Sequence, residues 1–492
     1  MVHSQVAWAG LAAGLATLTA SGQGPGGRAP GGASPPAMPA EVARSIDAAQ
    51  VRRDVDALAG FGTRHTMSET ESPTRGIGAA RRWLKAEFER AAAASGGRME
   101  VTFEEFEVPP GGPGSRTPEG AKVVNVVAVL RGTSEAAMGK GMGRRYYVVG
   151  HYDTRNSGAL DVSADAPGAN DDASGTAVVL ACARALAARP AEATIVFLCT
   201  AGEEQGLLGA KLHAEQAAAS GVPILGVLSN DIVGDPTAPA GFPATPAARS
   251  LVRVFSEGIP RNATAEGLAK IRSLAAEGDS PSRALARYVE DVGRAYDLAV
   301  KARLVWRPDR FLRGGDHSAF NEAVVREATW PRFAWAGWTG YPAVRFTELD
   351  EDYSRQHQTP RIETGADGRP VQFGDLPEYV DAEYVADVAR LNAAALACLA
   401  NAPTPPANVR IITAELTNTT TLRWEASPEA DVAGYEVVWR ETTSARWEHA
   451  RDAGAALEAT IELSKDDYFF GVRAYDRDGY RSPVVFAGAA AR

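Results

Sequence analysis

Short apolar segments alternate with longer helical patterns through the middle of the chain, and this alternation constrains the fold more than any other feature. The apolar segments are strand candidates, at residues 123–130, 146–150, 194–200, 224–228 and 332–337. The helix candidates are residues 45–59, 75–94, 175–188, 207–220 and 247–257, together with an Ala-rich segment at 382–400. Continuous apolar strands separated by helices indicate a mostly parallel mixed sheet with helices on both faces. The predicted fold class is therefore α/β.

The N-terminal end has a composition of its own. Residues 6–20 are apolar and uncharged, and Ala20-Ser21-Gly22 follows them. This pattern predicts a secretory signal over residues 1–22 and a secreted or periplasmic protein. Residues 23–40 are rich in Gly, Pro, Ser and Ala, which predicts a disordered linker.

A Pro-rich break at residues 401–406 ends the predicted α/β domain, which spans residues 41–400. Beyond the break, residues 403–490 contain short alternating β-rich segments separated by turn residues. Such closely spaced segments predict a small all-β sandwich. The break itself predicts that this C-terminal domain is separable from the α/β domain.

The overall composition excludes several classes of protein. The net charge is −10 and the pI is about 5.4, which argues against a nucleic-acid-binding protein. Three cysteines in 492 residues exclude a disulfide scaffold. Beyond residue 20, no apolar run reaches the roughly 18 residues typical of a membrane-spanning helix, so none is predicted. The charged segment 261–310 is predicted to be a helical surface insertion.

Acidic residues and one histidine cluster at the ends of the predicted strands and in one turn between them. They are His151, Asp153, Asp171, Glu203, Glu204 and Asp231. Because ligands of open α/β sheets bind beyond the carboxyl ends of the strands, we expect these side chains to meet at one edge. Gathered without a cation, the carboxylates would repel one another and raise their own pKa values. Mixed histidine and carboxylate ligands favour zinc, with cobalt or manganese as alternatives.

Each of these residues alone has an ordinary structural explanation. A single histidine at a strand end, such as His151, is more often a satisfied polar residue than a metal ligand. Asp171-Asp172 suits a turn or a helix N-cap, and Glu203-Glu204 suits the first turn of a helix. Their occurrence in order, at the ends of successive strands, is what favours a metal site.

Three segments of the chain resemble a known family. They are Gly150-His151-Tyr152-Asp153, residues 168–175 and residues 200–209. Together they resemble the di-zinc exopeptidases of the bacterial leucyl aminopeptidase and aminopeptidase Y type, and the resemblance extends over about residues 41–400. It implies that Asp171 bridges two zinc ions, and that His151 and Asp231 complete the first site.

The same resemblance assigns the remaining roles. Glu204 and a distal histidine would complete the second zinc site. Glu203 would be the general base, and Asp153 would orient the ligand His151. The implied reaction is hydrolysis by a water held between the two zinc ions.

The distal histidine is chosen among His65, His317 and His357, since His213 is predicted to lie on a helix surface. The segment Gln356-His357-Gln358-Thr359-Pro360 resembles the late Tyr-His-Thr-Pro segment of the family, so His357 is the predicted ligand. Gln356 stands where many members of the family have tyrosine. Residues 314–320 resemble a pocket-lining segment, which makes Asp316 and His317 predicted pocket residues.

The implied protein is a secreted zinc aminopeptidase that acts on peptides or proteins. Alternatives on the same fold are a zinc carboxypeptidase, a glutaminyl cyclase or a catalytically inactive receptor-like protein. The tail resembles a fibronectin type III domain with Trp424 as its core tryptophan. Cell wall, matrix and glycan are the candidate ligands of such a domain.

Overall fold

The computed structural model describes residues 35–133, 143–239, 241–325, 338–365, 368–414 and 416–489. The predicted signal at residues 1–22, most of the predicted linker and the predicted strand at 332–337 lie outside these ranges. The first helix begins at Ala37, before the predicted start of the α/β domain at residue 41.

An eight-stranded mixed sheet forms the centre of the larger domain. Its strands are β1 Met99–Val108, β2 Ala121–Leu130, β3 Arg145–His151, β4 Thr194–Thr200, β5 Ile224–Asn230, β6 Leu251–Ser256, β7 Lys301–Val305 and β8 Ala343–Thr347. Their order across the sheet is β1-β2-β4-β3-β5-β8-β6-β7. The central strands β4, β3, β5 and β8 are parallel. Their carboxyl ends therefore meet at one edge of the sheet.

Helices cover both faces of this sheet, which confirms the predicted α/β class. They are α1 Ala37–Arg44, α2 Ala48–Ala59, α3 Gly76–Ala92, α4 Ala173–Leu186, α5 Leu208–Ala219, α6 Ala265–Ser273, α7 Pro281–Ala295, α8 Asp316–Glu322 and α9 Ala382–Asn401. Successive strand residues point to opposite faces. Val148 and Phe197 accordingly pack in the core with α4 and α9, whereas Val149 and Leu198 pack with α5 and α8.

Three sequence predictions are corrected by the structure. The segment 247–257, predicted as a helix, contains strand β6, because Val252 and Val254 alternate with half-buried neighbours as a strand requires. The segment 261–310 is not only a surface insertion: it adds strand β7 to the sheet edge and buries one side of α7. His213, predicted on a helix surface, is buried and its Nδ1 lies 2.8 Å from Glu104 Oε2.

Two further features complete the larger domain. A two-stranded hairpin pairs β9 Arg361–Thr364 with β10 Pro370–Phe373. Cys182, Cys199 and Cys398 are all buried and free. In the part of the chain that the structure describes, no helix combines the length and the apolar character needed to cross a bilayer.

The C-terminal domain consists of two small four-stranded sheets. Its strands are β11 Ala407–Ile411, β12 Thr420–Glu425, β13 Val432–Glu441, β14 His449–Gly454, β15 Glu458–Ile461, β16 Tyr468–Asp476, β17 Val485–Phe486 and β18 Gly488–Ala489. The sheets have the orders β15-β12-β11-β18 and β14-β13-β16-β17. Trp424 from one sheet and Tyr435 and Phe470 from the other share a core. The predicted all-β unit with a core tryptophan is therefore present.

The C-terminal domain packs against α7 through buried charges. Asp279, just before α7, lies 2.7 Å from Arg440 and 3.2 Å from Arg287. These three side chains are only 3%, 2% and 4% exposed, respectively. Arg446 adds an ion pair of 2.8 Å to Glu290 on α7. The two domains thus share an interface in which acidic residues of the larger domain pair with arginines of the C-terminal domain.

Candidate metal centre

The predicted site residues converge at the sheet edge where β3, β4 and β5 end. His151 is the last residue of β3, Glu203 and Glu204 follow β4, and Asp231 follows β5. Asp171 directly precedes Asp172, which caps α4 by accepting a hydrogen bond from the Gly175 N–H at 2.9 Å. A Cβ at Gly175 would lie 2.3 Å from the Asn230 carbonyl oxygen, so only glycine lets α4 approach β5 this closely.

The first group of potential ligands contains His151, Glu203 and Asp231. One ligand atom from each lies within 4.8 Å of the other two. The His151 Nε2 atom is 3.8 Å from Asp231 Oδ1 and 3.2 Å from Asp171 Oδ1. His151, Asp171 and Asp231 are all buried, whereas Glu203 is half-buried.

The second group contains Asp171, Glu204 and His357, which lie equally close together. The His357 Nε2 atom is 2.9 Å from both Asp171 Oδ2 and Glu204 Oε1. Asp171 therefore presents one oxygen to each group: Oδ1 faces His151 and Oδ2 faces His357. This is the position that a bridging ligand would need.

The residues of the two groups fit a divalent cation. Glu204 Oε1 is buried and faces His357 Nε2 at 2.9 Å without a hydrogen bond of normal geometry. Burial raises the pKa of the Glu203 carboxyl well above its usual range, and the negative charges of Asp231 and Glu204 raise it further. Although burial opposes its ionisation, the facing His357 and His151 hold the pKa of Asp171 well below its usual value. Closely packed carboxylates with histidine nitrogens are the donor set that suits zinc.

Asp153 contacts the backbone of the next strand end more closely than it contacts His151. Its carboxylate accepts hydrogen bonds from the Glu203 and Glu204 N–H groups, both at 3.2 Å. The Nδ1 atom of His151 is 3.2 Å from the Asp153 carbonyl oxygen and 3.6 Å from its carboxylate. Asp153 thus fixes the backbone that carries both glutamates, in addition to facing His151.

Two buried side chains that carry no sequence motif hold the loop containing Asp171. Arg64 is fully buried and donates to the carbonyl oxygens of Tyr152 and Gly168 at 2.7 and 2.9 Å. The Asp375 carboxylate accepts from the N–H groups of Asn170 and Asp171 at 2.8 and 2.7 Å. Arg64 therefore holds this region through carbonyl oxygens, and Asp375 holds the loop through backbone N–H groups.

Two guanidinium groups contact the predicted ligands. Arg345, fully buried, lies 2.9 Å from Asp231 Oδ1, and its positive charge keeps the pKa of Asp231 below the usual value despite burial. Arg155 donates from Nε to Glu204 Oε2 at 2.9 Å, and its Nη2 is 2.6 Å from His357 Nδ1. Neither arginine belongs to the motifs that identified the site.

The predicted pocket residues lie deeper than expected. His317 has no exposed surface, and its Nε2 is 2.7 Å from the Pro308 carbonyl oxygen. Asp316 is 2% exposed, accepts a hydrogen bond from the Thr200 hydroxyl, and has its pKa raised to about 6 by burial. Neither side chain lines an open surface. His65, the other distal candidate, is also buried and lies 3.3 Å from Gln205 Nε2.

Two histidine–carboxylate groups at the carboxyl edge of an α/β sheet are a donor set suited to metal binding. Residues 125–359, which include all the predicted ligands, match the model of peptidase family M28. A probable zinc metalloprotease of Pyricularia oryzae is 43% identical over 447 residues, covering 89% of this chain and 82% of that protein. Another, from Leptosphaeria maculans, is 40% identical and covers 90% and 95%. The chain therefore belongs to peptidase family M28.

A solved structure also aligns with the chain. It is the aminopeptidase LapA of Legionella pneumophila, with a TM-score of 0.47 and 17% identity over 73% of this chain and 74% of that one.

Proposed function

We propose that the protein is an aminopeptidase that uses two zinc ions to remove the N-terminal residue of peptides. The observation that carries this proposal is the position of Asp171 between two groups of ligands. A carboxylate with one oxygen facing each group serves a pair of ions better than a single one. Membership of the peptidase family supports the hydrolytic reaction, and the resemblance of the three motif segments supports the aminopeptidase assignment.

In this proposal His151 and Asp231 would hold one ion, and Glu204 and His357 would hold the other. Asp171 would contact both. When bound, zinc would supply a Lewis acid that polarises the scissile carbonyl and makes a bound water more acidic. Arg345 and Asp153 would keep the ligands in place through the contacts described above.

Glu203 would act as the general base. Among the described residues, no side chain or backbone group donates a hydrogen bond to its carboxylate, so the carboxylate is free to accept a proton from the attacking water. It would then pass that proton to the amine of the departing peptide. The hydrogen bond from the Glu203 N–H to Asp153 fixes the backbone from which this side chain extends.

A panel of small peptides tests the proposed function. We expect hydrolysis of peptides with a free amino terminus, little hydrolysis of the same peptides with a blocked amino terminus, and full loss of activity with a chelator. Metal analysis of the purified protein should give about two zinc ions per chain. Preference for N-blocked peptides would instead indicate a carboxypeptidase, and full activity with one zinc ion would contradict the bridging role of Asp171.

Two histidine variants separate the predicted ligand from the predicted pocket residue. His357→Ala should lower the zinc content by about one ion per chain, because His357 Nε2 belongs to the second group. His317→Ala should keep both ions, since its Nε2 atom faces Pro308 and Asp309 rather than the two groups. Metal analysis of both variants measures this difference. Zinc loss from the His317 variant alone would mean that the wrong distal histidine has been chosen.

A further inference from the structure

Among the described residues of the site, the exposed side chains lie beside the second group of ligands. On the side of the first group, His151 and Arg345 have almost no exposed side-chain surface, at 2% and 0%. On the other side, the side chains of His357 and Arg155 are 34% and 21% exposed. Glu203 is half-buried between the buried ligands. A substrate that reaches the site therefore meets Glu203, His357 and Arg155.

Among these three accessible residues, Arg155 alone carries a permanent positive charge. A guanidinium has five N–H donors, and Arg155 donates one to Glu204, while its Nη2 atom lies 2.6 Å from His357 Nδ1. Its Nη1 atom makes no hydrogen bond or ion pair with any residue that the structure describes. Donors therefore remain for a group that comes from outside the protein.

The charge of Arg155 is also poorly compensated once the site is loaded. Among the described residues, its carboxylate partner is Glu204, which would be shared with a divalent cation in the second group. Arg345 differs, because it is fully buried and pairs with both Asp231 and Asp309, at 2.9 and 3.3 Å. A partly exposed guanidinium with spare donors and a shared counterion is a binding site for an anionic oxygen.

We propose that Arg155 binds a carboxylate of the substrate, so that the preferred peptides carry a carboxylate next to the scissile bond. This inference rests on the proposed peptidase function and names a substrate class for the same site. The carboxylate could come from a free α-carboxyl group of the departing residue or from an acidic side chain. The shared chemistry is a planar anion that accepts two N–H groups of the guanidinium fork.

Three substrates distinguish the two sources. They are Leu-Ala, which has a free α-carboxylate, Leu-Ala-amide, which has no carboxylate, and Leu-Glu-amide, whose only carboxylate is in the side chain. A hydrogen bond to a charged group changes affinity by roughly 10- to 100-fold. We expect the wild-type enzyme to cleave one of the two acidic substrates with a kcat/KM that is higher by about this factor than its kcat/KM for Leu-Ala-amide.

The selectivity ratio, rather than the absolute rate, is the quantity to compare among variants. In Arg155→Gln the ratio of kcat/KM for the acidic substrate to kcat/KM for the neutral substrate should fall to about threefold or less, and in Arg155→Lys it should be intermediate.

Arg361→Gln is the matched control. Arg361 is also partly exposed and contacts Glu363, Gln358 and Thr359 but none of the predicted ligands. Its removal should leave the ratio unchanged. An equal loss on all three substrates in Arg155→Gln would overturn the proposal.

Binding without turnover gives an independent measurement. Calorimetry of the zinc-loaded protein with alanine, alaninamide and glutamic acid α-amide should show tighter binding of one of the two carboxylates, and the preference should vanish in Arg155→Gln. If the wild-type protein cleaves no peptide, the proposed function fails, while calorimetry still decides whether Arg155 binds a carboxylate. Equal binding of all three compounds would overturn the proposal even if peptides are cleaved. If the Gln variant does not fold, Arg155→Lys supplies both comparisons.

Discussion

Replacing Glu203 by glutamine is expected to lower kcat by about 10²- to 10⁴-fold, the usual cost of losing a general base. Glutamine has nearly the same shape, so the fold and the hydrogen bond from the residue 203 N–H to Asp153 should persist. What disappears is the ability to accept a proton. Turnover of an aminoacyl anilide, measured together with zinc content, tests this expectation.

Glu204→Gln is the matched comparison. Glu204 is the neighbouring carboxylate, and it contacts His357, whereas the Glu203 carboxylate accepts no hydrogen bond from a described residue. That variant should lose zinc as well as activity. If Glu203→Gln also lost zinc, Glu203 would be a ligand of the first group, to which its carboxylate is close enough to belong. A Glu203→Gln enzyme that retained turnover within tenfold would show that another group accepts the proton.

Ending the chain after Asn401 should lower the stability of the α/β domain. The Pro-rich break alone predicts a separable tail, but the interface contradicts that simple picture. Truncation would remove Arg440 from the buried Asp279 and Arg446 from the buried Glu290. Both acids would lose these partners but would also become exposed to water, so the cost should stay below the about 3–5 kcal/mol lost when one partner of an ion pair is removed and the other stays buried. Soluble yield and thermal unfolding of the truncated protein measure the effect.

Two single variants of the full chain isolate the contribution of the interface. Arg440→Met should lower the unfolding temperature clearly, because it leaves Asp279 with only Arg287 as a partner. Arg423→Met removes an ion pair with Glu458 in which both side chains are about half exposed, and such pairs contribute about 0–1 kcal/mol. A truncated protein that unfolds at the same temperature as the full chain would show that the domains are independent.

The positions of the predicted ligands could be inferred from the sequence because the ends of apolar runs mark the ends of strands. Apolar runs end at His151, Glu203 and Asp231, and parallel strands bring their carboxyl ends together. Strand β6 was missed because its six residues lie between helical patterns, where a short apolar run fits either structure.

The residues that hold or neutralise the site could not be predicted in the same way. Arg64, Asp375 and Arg345 come from distant segments and lie beside no recognisable motif. A buried arginine cannot be distinguished from a surface arginine in a single sequence, since its partners are backbone carbonyls or acids brought near only by folding. The depth of His317 was hidden for the same reason: a motif gives the residue type but not its exposure.

Because Arg64 and Asp375 hold the loop that carries Asp171, the order of synthesis limits when the metal centre can form. The two anchors of the loop lie 104 residues before Gly168 and 204 residues after Asp171 in the chain. During synthesis, a nascent chain that ends before Asp375 lacks this anchor. A chain that ends before residue 357 also lacks His357. The second group of ligands is therefore complete only after residue 357 has been synthesised, and the loop that carries Asp171 has both of its anchors only after residue 375.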